Sequence, residues 1–185
     1  MQTKKPIRFW AGILFTLILG MMSHFFYEWS NENPFVGLFS PANESVWEHL
    51  KLVFFPVLLY TIFEAVVLGK NDRHFLTSRL AGLMAGLLLI PTLFFIYTGF
   101  LGRTLLLFDL SIYLLSVLTT FFLSYYLEIH LPSLELSLPV LLFILVFLLL
   151  VFFFFTFRPP RLPLFEDWSR QQIQSLLEIY KIGSS

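Results

Sequence analysis

Residues 43–64 read NESVWEHLKLVFFPVLLYTIFE, a run that is almost wholly apolar from Leu52 to Phe63, with Glu44, Glu48, His49 and Lys51 crowded at its head. An ionised side chain at the bilayer centre costs about 2.5–3.5 kcal/mol on insertion scales, so such residues lie at an interface, pair with each other or line a protected cavity. The stretch therefore predicts a membrane helix entered through a polar threshold, and the rest of the chain is consistent with that.

The 185 residues are 57% hydrophobic and 13% charged, with 24 Phe and a mean hydropathy of +0.80. An ordinary soluble domain has about 45–50% apolar and about 25% charged residues. Several runs exceed the roughly 20 helical residues needed to cross a hydrocarbon layer. The formal net charge is zero and Lys and Arg are dispersed, which leaves no electrostatic footprint for nucleic acid. With no cysteine, disulfides, thiolate metal sites, iron–sulfur clusters and c-type haem attachment are excluded.

The expected fold is an all-α polytopic transmembrane bundle over residues 1–157, with about five spans at 8–27, 44–68, 79–98, 104–126 and 138–157. The basic start MQTKKPIRFW leads into an apolar run with no clear small-x-small cleavage site, so it reads as a retained signal anchor. Trp10 suits one interface and Tyr27 and Trp29 the other. Pro56 and Pro91 are kink candidates in the second and third spans. Gly82-x-x-x-Gly86 allows close helix approach. In the fourth span Asp109, Tyr113, Ser116, Thr120 and Ser124 recur at helical spacing, a polar stripe that should face the bundle. The fifth, almost pure Leu, Phe and Val, is expected to lie against lipid. Residues 158–185 follow as a Pro-rich interfacial segment and a short amphipathic helix, with Ser169-x-x-Gln172 as its capping box and Ile173, Leu176, Leu177 and Tyr180 on one face.

Lys4, Lys5 and Arg8 before the first span, and Lys70, Arg73 and Arg79 after the second, favour a cytoplasmic N-terminus in the cell membrane. Five spans then put Arg158, Arg161, Arg170 and Lys181 outside, against the positive-inside tendency. Alternation alone brings the end of the first span, the start of the second and the start of the fourth to one level. His24, at about 24 Å along its helix from Arg8, thus shares a depth with Glu28, Glu44, Glu48 and His49, and Asp109 lies about 8 Å below. Asn43 and Lys51 complete this polar cluster. Asp109 is expected to find Arg103 or Tyr113. Glu64, at the opposite boundary, is expected to pair with Lys70 or Arg73.

Imidazole and carboxylate suit Zn²⁺, Mn²⁺ or Fe²⁺, and i, i+4 spacing puts two ligands on one helix face. His24-x-x-x-Glu28 and Glu44-x-x-x-Glu48-His49 fit that use, although neither is a specific signature. One expectation is a metal-dependent membrane enzyme, a hydrolase of lipid or lipid-linked substrates, with His24, Glu28, Glu44 and His49 as metal ligands and Glu48 as general base. A second is a small ion- or proton-coupled transporter working through Glu48 or Asp109; no internal repeat supports an inverted-repeat design. In the third the cluster only caps and locks helices. Ser45-x-x-Glu48 is a capping box, the acids suit the helix dipole, and Glu48 and Lys51 pair at i, i+3. The partner in every case is the lipid bilayer, and in the first two readings the ligand is a lipid or an ion.

HFFYEWS with NPFVGLF, SPANESVWEHLKLVFFP, YTGFLGR with Asp109, and FTFRPPRLPLFED together resemble a family of short bacterial and archaeal integral membrane proteins of unknown function. The resemblance spans nearly the whole chain, NESVWEHLK being its most distinctive block. It implies a multi-span membrane protein and supplies no activity or cofactor. The helical extension after Trp168 departs from the family's shorter ending.

Overall fold

A computed structural model describes residues 4–131 and 133–168, with side chains from residue 7 onward. Helix α1 (Lys4–Ser23) is followed by two single turns, α2 (Phe26–Trp29) and α3 (Pro34–Gly37). Next, α4 (Val46–His49) leads through Leu50 into α5 (Lys51–Val66), and then come α6 (Arg73–Leu101), α7 (Leu106–His130) and α8 (Leu138–Phe157). A 3-10 turn, Pro163–Phe165, lies in the tail, and an isolated β-bridge pairs Ser45 with Asp167. The amphipathic helix expected after Ser169 lies outside the described residues.

Among the described residues, four helical segments are long and apolar enough to cross a membrane: Val46–Val66, Arg73–Leu101, Leu106–His130 and Leu138–Phe157. Ile7–Ser23 is a shorter apolar helix beside them. The chain is thus a multi-pass, membrane-embedded helical bundle. The first helix stops earlier than the expected 8–27. At Ser23 the hydroxyl turns back to the Gly20 carbonyl at 2.8 Å, and the Phe25 N–H bonds three residues back, to Met22, rather than four. By contrast, α6 starts before and ends after the expected 79–98. Asp72 caps its first turn by accepting from the Phe75 N–H, and Gly102, left-handed at φ 65°, closes its last by donating to the Thr98 carbonyl.

Two seams hold the long helices antiparallel. Along α6–α7, a Cβ added at Gly82 would collide with Ser124 Oγ and the Thr120 carbonyl, and one at Gly86 with Thr120 Oγ1 and the Ser116 carbonyl. The small-residue pair on α6 therefore receives the hydroxyl stripe of α7, whose Ser116 donates to the Gly86 carbonyl at 2.8 Å. Ser116 and Thr120 are completely buried. Along α1–α5, Gly12 meets Tyr60 and Gly20 meets the Leu52 carbonyl. That carbonyl is the one Pro56 deprives of its helical donor, yet α5 continues through Pro56 and α6 through Pro91.

The core centres on α5, where Val53, Phe54 and Val57 are fully buried. Only Leu141 and Phe152 of α8 are buried, so this helix is mostly lipid-facing, as its composition predicts. In lipid, such helices associate through close packing and hydrogen bonds rather than hydrophobic gain.

At the end of the bundle that carries Lys70 and Asp72, Glu64 pairs with Arg79 rather than with Lys70 or Arg73, at 2.6 Å with both side chains buried. Lys70 instead bonds Glu128 at 2.7 Å. The Asp72 carboxyl is pushed up by partial burial. The Phe75 N–H and the Lys70 ammonium outweigh that and hold it below the ordinary carboxylate range. A depressed folded-state value stabilises the native chain at neutral pH, and that contribution fades as the pH falls through it.

The α6–α7 seam gives a direct expectation. Gly86→Leu should lower stability by about 1–3 kcal/mol or abolish folding, because backbone and fully buried hydroxyls cannot move aside. Gly99→Ala, where a Cβ meets nothing within 4 Å, should leave the thermal midpoint in detergent almost unchanged.

Candidate functional site

The connection from α1 to α4 places the polar threshold. Asn31 and Glu32 are both left-handed, at φ 61° and 59°, and reverse the chain. Asn33 caps α3 by accepting from the Phe35 N–H at 2.9 Å. Asn43 then accepts from the Ser45 N–H at 2.9 Å, and Ser45 accepts from the Glu48 N–H at 3.3 Å to start α4. Asn43 is thus a turn former beside the cluster. The capping box is half made, since the Glu48 carboxylate goes elsewhere.

His24, Glu44 and His49 converge, each offering one ligand atom within 4.8 Å of the others. Glu44 bridges the two rings, with Oε2 at 3.4 Å from His49 Nε2 and Oε1 at 3.8 Å from His24 Nε2. His49 Nδ1 lies 2.8 Å from the Ser45 carbonyl. A carbonyl only accepts, so Nδ1 carries a proton, and whenever the ring is neutral Nε2 presents a lone pair. Two acceptors, His49 Nε2 and the Glu44 carboxylate, then face one another and need a proton or cation between them. The His24 and His49 rings lie edge to face at 5.3 Å, and Phe25 stacks on His24. The three side chains remain 33%, 48% and 29% exposed for His24, Glu44 and His49, so the group is reachable from outside the bundle.

Behind the trio, Glu44 and His49 line a cavity of about 140 Å³ together with Thr104, Asp109 and Tyr113. Its deeper walls are apolar, from Leu52, Ile90, Phe94 and Ile112. The tail closes one side: Trp168 packs edge-on to Phe94 at 5.7 Å, held by the Ser45–Asp167 bridge. Asp109 accepts from the Tyr97 hydroxyl, not from Arg103 or Tyr113. Tyr113 donates instead to the Thr16 carbonyl at 2.8 Å. Tyr97 went unnoticed in the sequence because the expected third span ended just after it. The short turn at Gly102 brings the last turn of α6 against the first of α7, a pairing that YTGFLGRTLLLFD contains in principle.

Glu28 and Glu48 do not join the trio. Glu28 is exposed on α2, beyond the helix break that destroys its i, i+4 register with His24. Glu48 is 2% exposed and, about 100° round α4 from His49, turns inward instead. One oxygen accepts from the Lys51 ammonium at 2.7 Å and from the Ala42 N–H at 2.8 Å. Lys51, with no exposed surface, also donates to the Gly37 carbonyl and to Thr156 Oγ1, both at 2.7 Å. Thr156 was the unread signal, a lone hydroxyl near the end of an otherwise apolar span.

The fold and this threshold define a helical membrane protein with a two-histidine, one-carboxylate group at one end of the bundle. The chain belongs to a family of unknown function (DUF6512), whose model matches residues 1–173. No curated protein and no solved structure matches it.

The Glu48–Lys51 pair yields a stability expectation. Lys51→Met should destabilise by about 3–5 kcal/mol, because it strands a buried carboxylate. Combining it with Glu48→Gln should recover part of that loss in thermal unfolding. Equal midpoints for parent and Lys51→Met would contradict the buried pairing.

Proposed function

We propose that this protein is a membrane-embedded metalloprotein, and that its centre supports hydrolysis of a membrane-borne substrate. His24 and His49 supply imidazole nitrogens and Glu44 the carboxylate, a set that suits Zn²⁺, Mn²⁺ or Fe²⁺. The carrying observation is the convergence of His24, Glu44 and His49, with His49 Nε2 3.4 Å from a Glu44 oxygen while its Nδ1 is turned to the Ser45 carbonyl. A tetrahedral ion with bonds near 2.1 Å has ligand-to-ligand edges of about 3.4 Å; the His49–Glu44 contact already matches this, and the trio, whose ligand atoms lie within 4.8 Å of one another, would close slightly around the ion.

A bound divalent ion would polarise water or a substrate carbonyl. The base expected at Glu48 moves to Asp109, since Glu48 is occupied by Lys51 and lies outside the cavity. Asp109 shares the cavity with Glu44 and His49 and is oriented by Tyr97, which suits it to take a proton from an attacking water. The apolar depth beneath suits the hydrocarbon part of a substrate entering from the membrane. Lys4, Lys5, Arg8, Lys70, Arg73 and Arg79 support a cytoplasmic N-terminus in the cell membrane, with the centre at the other face.

Elemental analysis of the detergent-purified protein after incubation with Zn²⁺, Mn²⁺ or Fe²⁺ tests the reading. About one ion per chain is expected for the parent and for Glu28→Gln. His49→Ala and Glu44→Ala should weaken binding on the order of 100-fold, at least what loss of a supporting outer residue does. Asp109→Asn should keep the ion and lose turnover. A parent protein that takes up none of the three ions would end the proposal.

A further inference from the structure

At the other end of the bundle, a second polar enclosure has no part in the metal centre. Arg8 of α1, Glu64 of α5, Lys70 before α6, Arg79 of α6 and Glu128 of α7 surround a cavity of about 30 Å³. Two ion pairs account for four of these charges: Arg79 with Glu64 at 2.6 Å and Lys70 with Glu128 at 2.7 Å. Among the described residues no carboxylate lies within ion-pair distance of Arg8, so the lining itself sets three cations against two carboxylates, with Asp72 reaching Lys70 from outside it at 3.6 Å. The Nε–H groups of Arg8 and Arg79 are both shielded from solvent and meet no acceptor among the described residues.

Those donors are not idle by accident of geometry. The Arg79 guanidinium is clasped between Phe75 and Phe121, at 5.3 and 4.5 Å from the ring centroids, so it cannot swing out to water. The Arg8 backbone is held in turn by the Tyr60 hydroxyl, which donates to its carbonyl at 2.7 Å. Unsatisfied donors in a low-dielectric interior call for an acceptor. A water would accept from them, whereas a small anion would accept from them and also answer the excess of cations over carboxylates in the lining.

We infer that the space between Arg8 and Arg79 is a binding site for one monovalent, halide-sized anion, which ties α1 to α6. A space of about 30 Å³ admits a water-sized body and suits a monatomic ion better than phosphate or a carboxylic acid. The ion joins the N-terminal helix, otherwise attached through α5 and α7, to the longest helix of the bundle, so occupancy should register in the stability of the whole.

The test is thermal unfolding of the full chain in detergent, in sodium gluconate with chloride or bromide substituted at constant ionic strength. A ligand that binds only the native state raises the midpoint in proportion to the logarithm of its concentration once above its dissociation constant. Such a rise is expected for both halides, and Arg8→Gln, which keeps the backbone carbonyl for Tyr60, should flatten it at least tenfold in apparent affinity. Identical midpoints in chloride and gluconate mean that water alone fills the space and overturn the proposal, as does Arg8→Gln with undiminished halide dependence. Should Arg8→Gln fail to fold, excess chlorine-35 line broadening by the parent, competed away by bromide, decides the matter: its presence supports the site and its absence overturns it. Metal content should be the same in chloride and gluconate, which keeps this result separate from the fate of the metal centre.

Discussion

The structure depends on the buried ammonium of Lys51. Residues 30–45 form largely non-helical backbone at the head of a membrane helix, and where this segment is buried, as at Gly37 and Ser40, its peptide groups need partners within the protein. Lys51 takes up the Gly37 carbonyl, while its partner Glu48 takes up the Ala42 N–H. The pair thus does for this connection what intrahelical hydrogen bonds do for the spans. Thr156 brings α8 to the same ammonium, so three separated parts of the chain meet at a fully desolvated charge. Removing two such charges from water is unfavourable, and the pair is tolerable because every strong donor and acceptor around it is engaged.

This arrangement divides the labour among adjacent residues. Glu48 and His49 are neighbours on one turn, about 100° apart around the helix. One faces inward to Lys51, the other outward to Glu44 and the cavity. By fixing Ala42, Glu48 also anchors the segment that delivers Glu44 two residues later. Support and candidate chemistry therefore share a single helical turn, and the supporting half is the more deeply buried. The two ends of the bundle contrast in the same way. The His24–Glu44–His49 threshold is rich in acceptors, whereas the Arg8–Arg79 end holds buried donors without acceptors, with the Arg79 guanidinium between two aromatic rings.

Between these ends the bundle is held by shape. Glycines at 82 and 86 let α7 approach until its hydroxyls touch the α6 backbone, and Gly20 admits the Leu52 carbonyl that Pro56 releases. Such contacts suit a medium in which apolar side chains gain nothing by leaving lipid, because they add packing and hydrogen bonds where hydrophobic burial offers little.

Composition and run lengths were enough to establish an all-helical membrane protein. The helical spacing of Ser116, Thr120 and Ser124 told correctly which face of α7 turns inward, and Ser45-x-x-Glu48 announced where α4 begins. Direction reversal alone predicted that His24, Glu44 and His49 share a level. Rotation about each helix axis was not legible, since it follows from packing against other rods rather than from spacing along one. Hence Glu48 and Glu28 were grouped with residues they do not meet, Arg79 was not seen as the partner of Glu64, and Tyr97 and Thr156 were passed over. A one-dimensional pattern determines the depth at which a charge sits, because rise per residue is constant. Which charge it meets at that depth was decided by the tertiary structure, because only the assembled bundle sets how far each helix turns and where a break such as that after Ser23 ends its register.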